Sequence, residues 1–251
     1  MSKREQNNQV ISPIVTPDDV MKLLDALYSK AVDGLGKVSP PIEQFAFDYV
    51  SKSGDVKEAA KKMIKAQIAK CTTSGIVAGF GGLIVLPIAI PANISSVMYV
   101  QMRMIACLAY MAGYDLKSDQ VQTLVYACLA GIGVAGIAKN FGINFGKKIA
   151  VAAVKKIPGE VIIKINQKIG FRLLTKFGEK GLVNLGKMIP LVGAVINGGF
   201  DFVETKVIAD RAYNLFFLGN TDDCDEVFII GEDGITEIDT DNEPTVEESQ
   251  S

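Results

Sequence analysis

From Cys71 to Met102 the chain runs for 32 consecutive positions without a charged side chain. So long an uncharged stretch must leave water, and it has two places to go, a protein core or a lipid bilayer. About 20 apolar residues suffice to cross a bilayer, and the run TSGIVAGFGGLIVLPIAI ahead of Pro91 nearly supplies them. Two prolines interrupt it, however, and each costs about 3 kcal/mol inside a helix. Pro87 and Pro91 therefore predict two helices rather than one crossing. The second starts at Pro91 and ends near Gly113, a C-cap candidate. The pair forms a glycine-rich apolar helical hairpin, re-entrant in lipid or buried in protein.

Helix signals continue on both sides. Thr16 is an N-cap followed by Pro17 at the first helical position and by Asp18 and Asp19 in the first turn, which predicts a helix to about Leu35. Pro40-Pro41 restarts the chain into a short helix through Phe45 and Tyr49 that ends at Ser53-Gly54. Asp55 with Glu58 forms a capping box for the basic amphipathic segment DVKEAAKKMIKAQIAK. Ser118-Asp119 caps a further helix, uncharged from Gln120 to Ala138. Residues 147–180 are basic and amphipathic, 188–200 again uncharged, and a mixed helix FVETKVIADRAYNLFFLG reaches Gly219. The fold class expected is all-α, a multi-helix bundle over 16–219 preceded by a disordered tail, 1–15. Residues 220–251 form an acidic tail in which 226–238, two apolar runs around Gly-Glu-Asp-Gly, suggest a small β-hairpin. Beyond the hairpin the chain is acidic, lacks apolar content and is expected to be disordered.

Small residues recur at four-residue spacing, in Gly75 and Gly79, in Ala127, Gly131 and Ala135, and in Gly142 and Gly146. Such ridges let helix backbones approach closely in lipid or in a tight soluble bundle. Gly is frequent, at 24 residues, while aromatics make up 8%.

Charge is segregated. Residues 221–251 hold twelve acids and no Lys or Arg, so of the 26 basic and 28 acidic side chains the first 220 residues keep 26 and 16, a balance of +10. A basic body favours anionic surfaces, and a cytoplasmic leaflet contributes about 1 kcal/mol per nearby Lys or Arg. Aromatics are not interleaved with the basic residues and no nucleic-acid motif appears, so no nucleic acid partner is expected.

Histidine is absent, which removes the usual general base, the Ser-His and Cys-His nucleophile pairs and the commonest metal ligand. Cys71, Cys107, Cys128 and Cys224 show no CxxC spacing and read as buried core thiols. MSKREQNNQV carries no apolar run after its charges, so a start in a reducing compartment is expected. Gly131-Ile-Gly-Val-Ala-Gly136 matches GxGxxG but lies within a helical run rather than after a strand. Gly181 to Lys187 matches a phosphate-binding loop except that Met188 replaces the hydroxyl that would reach magnesium. No cofactor, metal or catalytic residue is assigned.

Arg103 is the only charge between Lys70 and Asp115, with Gln101 beside it. It is expected to pair with a carboxylate such as Asp115, Asp201 or Asp210. Asn93, Gln101, Arg103, Asp115 and Asp210 together form the candidate polar cluster.

These segments resemble the EcsC family, whose members carry a glycine-rich apolar segment, a Leu-Pro/Pro-Ala turn and a Gln-x-Arg-x-Ile-Ala helix ending in Gly-Tyr-Asp. The matching residues are Gly79 to Leu83, Leu86-Pro87, Pro91-Ala92-Asn93, Gln101, Arg103, Ile105-Ala106 and Gly113-Tyr114-Asp115. Ile189 to Ala194 and Ala209 to Ala212 are similar to the family's Ile-Pro-x-Val-Gly helix and its closing segment. The resemblance spans roughly residues 55–219, and Asn93 departs from it where members often place Asp. It implies a bacterial, membrane-associated protein and no reaction. The expected function is that of a non-enzymatic membrane-associated protein, accessory to transport or envelope stress. It would sit on the cytoplasmic side of the cell membrane, peripheral or re-entrant, with an anionic membrane surface and an ABC transporter or other membrane protein as partners. The alternatives are a membrane-inserting or pore-forming effector, and a histidine-independent enzyme, which requires a cleft converging two carboxylates.

Overall fold

The computed structural model describes residues 16–72, 92–143, 151–177, 196–219, 227–231 and 234–238. In the last two segments, and at 72, 92–95, 136, 137, 176, 177 and 196–203, only the backbone is described. Helix α1 (Pro17–Asp33) opens with a reciprocal cap. The Asp19 N–H donates to Thr16 Oγ1 at 3.2 Å, and the Thr16 N–H donates to Asp19 Oδ2 at 3.0 Å. Val20, Leu23, Leu24, Leu27, Tyr28 and Ala31 recur at helical spacing and are buried. The helix stops two residues short of Leu35 because Gly34 adopts φ +85°. A Cβ there would collide with the Ser39 carbonyl oxygen and sit 2.7 Å from the Pro40 carbonyl carbon, so the turn needs glycine.

Helices α2 (Ile42–Ser53) and α3 (Val56–Thr72) are separated by Gly54 in the left-handed region and by Asp55, whose Oδ1 accepts from the Glu58 N–H at 2.8 Å. Helix α4 (Ala92–Met111) begins directly after Pro91. From Met98 to Ala109 every residue of α4 is buried, which makes it the central helix, packed on by α1, α2 and α3. Its end is a left-handed Gly113, after which the Tyr114 N–H returns to the Ala109 carbonyl at 3.0 Å.

Helix α5 (Asp119–Ala130) corrects the expectation of one uncharged helix to Ala138. Gly131 turns left-handed at φ +69° and caps α5, and a separate helix α6 (Val134–Lys139) comes next. Ala127, Gly131 and Ala135 therefore do not lie along one helix. Ser118 makes no side-chain cap, and its hydroxyl donates to Gln120 Oε1 at 2.7 Å instead. A short turn α7 (Val151–Val154) leads to α8 (Gly159–Phe177), which buries Val161, Ile162, Ile165, Ile169 and Leu173 against α5 and α1. Helix α9 (Ile196–Tyr213) starts earlier than the mixed segment expected from Phe202 and packs on α3 and α4. It continues as a π-helical turn, Asn214–Leu218, capped by Gly219.

The described residues thus form the expected all-α fold. Strands β1 (Val227–Gly231) and β2 (Gly234–Ile238) pair antiparallel with Val227 opposite Ile238 and Gly231 opposite Gly234, in the segment expected as a hairpin. The 1–15 tail, the first arm of the apolar hairpin, Gly146, the Gly181–Lys187 loop, Ile189 to Ala194, Cys224 and the acidic run after 238 lie outside the described residues.

Candidate functional site

Arg103 is held differently from the expected ion pair. On α4 its Nη1 donates to the Ala31 carbonyl at 2.7 Å, its Nη2 donates to the Pro40 carbonyl, and its guanidinium lies over the Phe45 ring. It ties the last turn of α1, the α1–α2 loop and α2 to the central helix. A cation near the carbonyl end of α1 also sits at the favourable end of that helix's dipole. Burial pulls the guanidinium below its ordinary range, and Tyr99 and Cys107 oppose that shift. Tyr99, one turn away, donates its hydroxyl to Ser39 Oγ at 3.0 Å, pinning the same loop.

The other residues of the polar cluster are dispersed. Gln101 is buried and donates to Thr205 Oγ1 on α9 at 3.0 Å. Asp115 is exposed and accepts from the Lys117 N–H at 3.0 Å. Asp210 is exposed and pairs with Lys206 one turn away, at 3.4 Å. Asn93 lies in the first turn of α4, in the part where only the backbone is described. The structure therefore makes Arg103 and Gln101 two separate buried anchors of α4.

Cys71, Cys107 and Cys128 are buried as expected, and burial pushes the Cys107 thiol up to about 12. A thiol so protonated is no nucleophile at neutral pH. Among the described residues no three of His, Cys, Asp and Glu converge where a metal ion could sit.

An open groove of about 510 Å³ runs between α2, the start of α3 and the end of α4, lined by Glu43, Phe47, Val56, Tyr110 and Asp115. Two carboxylates facing one groove is what the enzyme alternative requires. Both are exposed, the other lining groups named here are largely apolar, and no hydrogen bond links either carboxylate to the other or to a nucleophile among the described residues.

Within the stretch 147–180, expected from the sequence to be basic and amphipathic, the face with most chemistry is the outer side of α8. Glu160, Ile163, Lys164, Gln167, Lys168, Phe171 and Arg172 point away from the core, so Lys164, Lys168 and Arg172 stand at one-turn spacing. Ile163 and Phe171, 57% and 63% exposed, flank that row on one side. None of the three cations forms an ion pair among the described residues. On α3, Lys57, Lys61 and Lys65 make a second exposed row, with Val56, 37% exposed, beside its first lysine.

Among the described residues no helix is long and apolar enough to cross a membrane. The chain matches no protein-family model, no curated protein and no solved structure.

Proposed function

We propose that this protein is a non-enzymatic, EcsC-like membrane-associated protein that binds an anionic lipid surface from the cytoplasmic side, accessory to a transporter or other membrane protein. The observation that carries this reading is the outer face of α8. Isolated lysines on a helix are commonly a solvated face, but here two large apolar side chains flank the cationic row and are left in water. Apolar groups entering the headgroup boundary beside unpaired cations are the pattern of an interfacial helix. Each cation near an anionic leaflet contributes about 1 kcal/mol, and burial of the two apolar side chains adds to it. The +10 balance of residues 1–220 supports the same polarity.

Vesicle co-sedimentation with phosphatidylglycerol tests it. Binding should weaken steadily as salt rises, since charges separated by more than about 8 Å are screened at 0.15 M. It should fall in Lys164→Gln/Lys168→Gln and in Phe171→Ser. Equal binding to neutral and anionic vesicles, or unchanged binding of both variants, would overturn the proposal.

A further inference from the structure

Two arginines from different helices converge on the turn that ends α5. Arg211 of α9 is 9% exposed, and its Nη1 donates to the Cys128 carbonyl at 3.3 Å. Its Nε is buried and has no hydrogen-bond partner. Arg172 of α8 is exposed and reaches the same place from outside. A Cβ placed on Gly131 would lie 3.2 Å from Arg211 Nη1, 3.4 Å from Arg211 Nη2 and 3.5 Å from Arg172 Nη2. The two guanidiniums therefore stand no farther apart than the sum of the last two distances, across a position where the chain has no side chain. No carboxylate among the described residues pairs with either of them.

A buried cation held beside a second cation is costly unless an anion compensates both. The Cys128 carbonyl caps one N–H of Arg211 and supplies no net charge. We propose that Arg211 and Arg172 form a binding site for a tetrahedral phosphate-class oxyanion, seated over Gly131 and entered from the Arg172 side. Each guanidinium offers a planar fork that matches two oxygens. Two forks carried by different helices demand more acceptor oxygens than a carboxylate has, and a phosphate monoester has them. Gly131 matters twice, because its left-handed backbone ends α5 and its missing Cβ keeps the cradle open.

This site does not rest on the membrane reading, since free phosphate in solution would fill it. Calorimetric titration of the full chain with inorganic phosphate at fixed ionic strength should show saturable binding, with acetate showing none. Arg172→Gln removes one fork from an exposed position without touching the core, and should weaken phosphate binding about ten-fold or more. Arg211→Lys, which keeps the charge and loses the fork, should weaken it comparably; its thermal unfolding reports whether it still folds. A second arm separates the sources of the phosphate. Stronger binding to phosphatidic acid than to phosphatidylserine vesicles, lost in Arg172→Gln, identifies a lipid headgroup. Saturable inorganic phosphate without that preference identifies a soluble phosphate. Absence of saturable phosphate binding, or equal affinity in the wild type and Arg172→Gln, would overturn the site. Salt-sensitive vesicle binding through Lys164 and Lys168 would survive that result, so the two readings fail separately.

Discussion

The Arg103 guanidinium carbon lies 4.4 Å from the centroid of the Phe45 ring, with Ala31 and Pro40 carbonyls taking its hydrogen bonds. A ring and two backbone oxygens replace the carboxylate that a buried arginine ordinarily seeks.

Removing the donors should therefore destabilise the fold. Arg103→Met keeps most of the volume and leaves two buried carbonyls without a charged donor, which is expected to cost about 3 kcal/mol after the recovered desolvation is subtracted. Arg103→Lys retains the charge and can serve one carbonyl, so about half that loss is expected. Urea unfolding midpoints read both; Arg103→Met as stable as the wild type would show that burial of the charge cancels its bonds.

Alkaline pH should weaken the protein. Burial chiefly, against the opposing Arg103 charge, holds the Cys107 thiol protonated to about pH 12, whereas its ordinary value is 9.0. Between those values the unfolded chain binds fewer protons than the native one, so stability is full below pH 9 and falls as pH rises, by up to about 1.4 kcal/mol per pH unit for one thiol. Tyr28 and Tyr126 shift upward too, through burial first and then the charges of Asp115 and Asp25 respectively, and add to the fall above their ordinary 10.0. Unfolding midpoints at pH 8, 9.5 and 10.5 should decline, and Cys107→Ala should delay the onset. A flat profile would contradict this.

The legible parts of the fold are those whose cause is local. Thr16 with Asp19, Gly54 with Asp55, and Gly113 each announce a helix end through neighbours a few residues away. The break at Gly131 was hidden because apolar composition continues through it and a single glycine is tolerated within a helix. Arg103's partners were hidden for a different reason, since backbone carbonyls of Ala31 and Pro40 leave no mark in the side-chain sequence. Asp115 and Asp210 carry charges of the right sign, yet the loop after α4 and the outer face of α9 place them in water. The meeting of Arg172 and Arg211 depends on how α8 and α9 cross α5, which no local pattern encodes.

Gly170 offers a test in which two effects oppose each other. Ala in place of Gly inside a helix normally gains about 1 kcal/mol. A Cβ on Gly170, however, would lie 2.9 Å from the Pro17 carbonyl oxygen and 3.2 Å from its Cβ, where α8 crosses the start of α1. Gly170→Ala should therefore lose about 1–2 kcal/mol, while Gly159→Ala, which meets nothing within 4 Å, should be neutral or slightly stabilising. Thermal unfolding of the two variants decides it; a more stable Gly170→Ala would show that the crossing yields.

Deleting residues 221–251 removes twelve acids and no cation. If that segment competes with lipid for the basic surface, the truncated chain should bind phosphatidylglycerol vesicles more tightly at low salt and converge with the full chain at high salt. Unchanged affinity at low salt would leave the segment a solubilising role.

Tyr126 Oη donates to Asp25 Oδ1 at 2.8 Å across 101 residues of sequence, Tyr28 Oη donates to the Leu116 carbonyl across 88, and Arg103 reaches Ala31 across 72. Helix α1 leaves the ribosome before each of the groups that fasten it. At about 5–20 residues per second, its apolar stripe waits on the order of 5–20 s for them. During translation Leu23, Leu24 and Leu27 form a nascent sticky surface, so this chain's yield in cells should depend on chaperone capacity more than the stability of the finished bundle suggests.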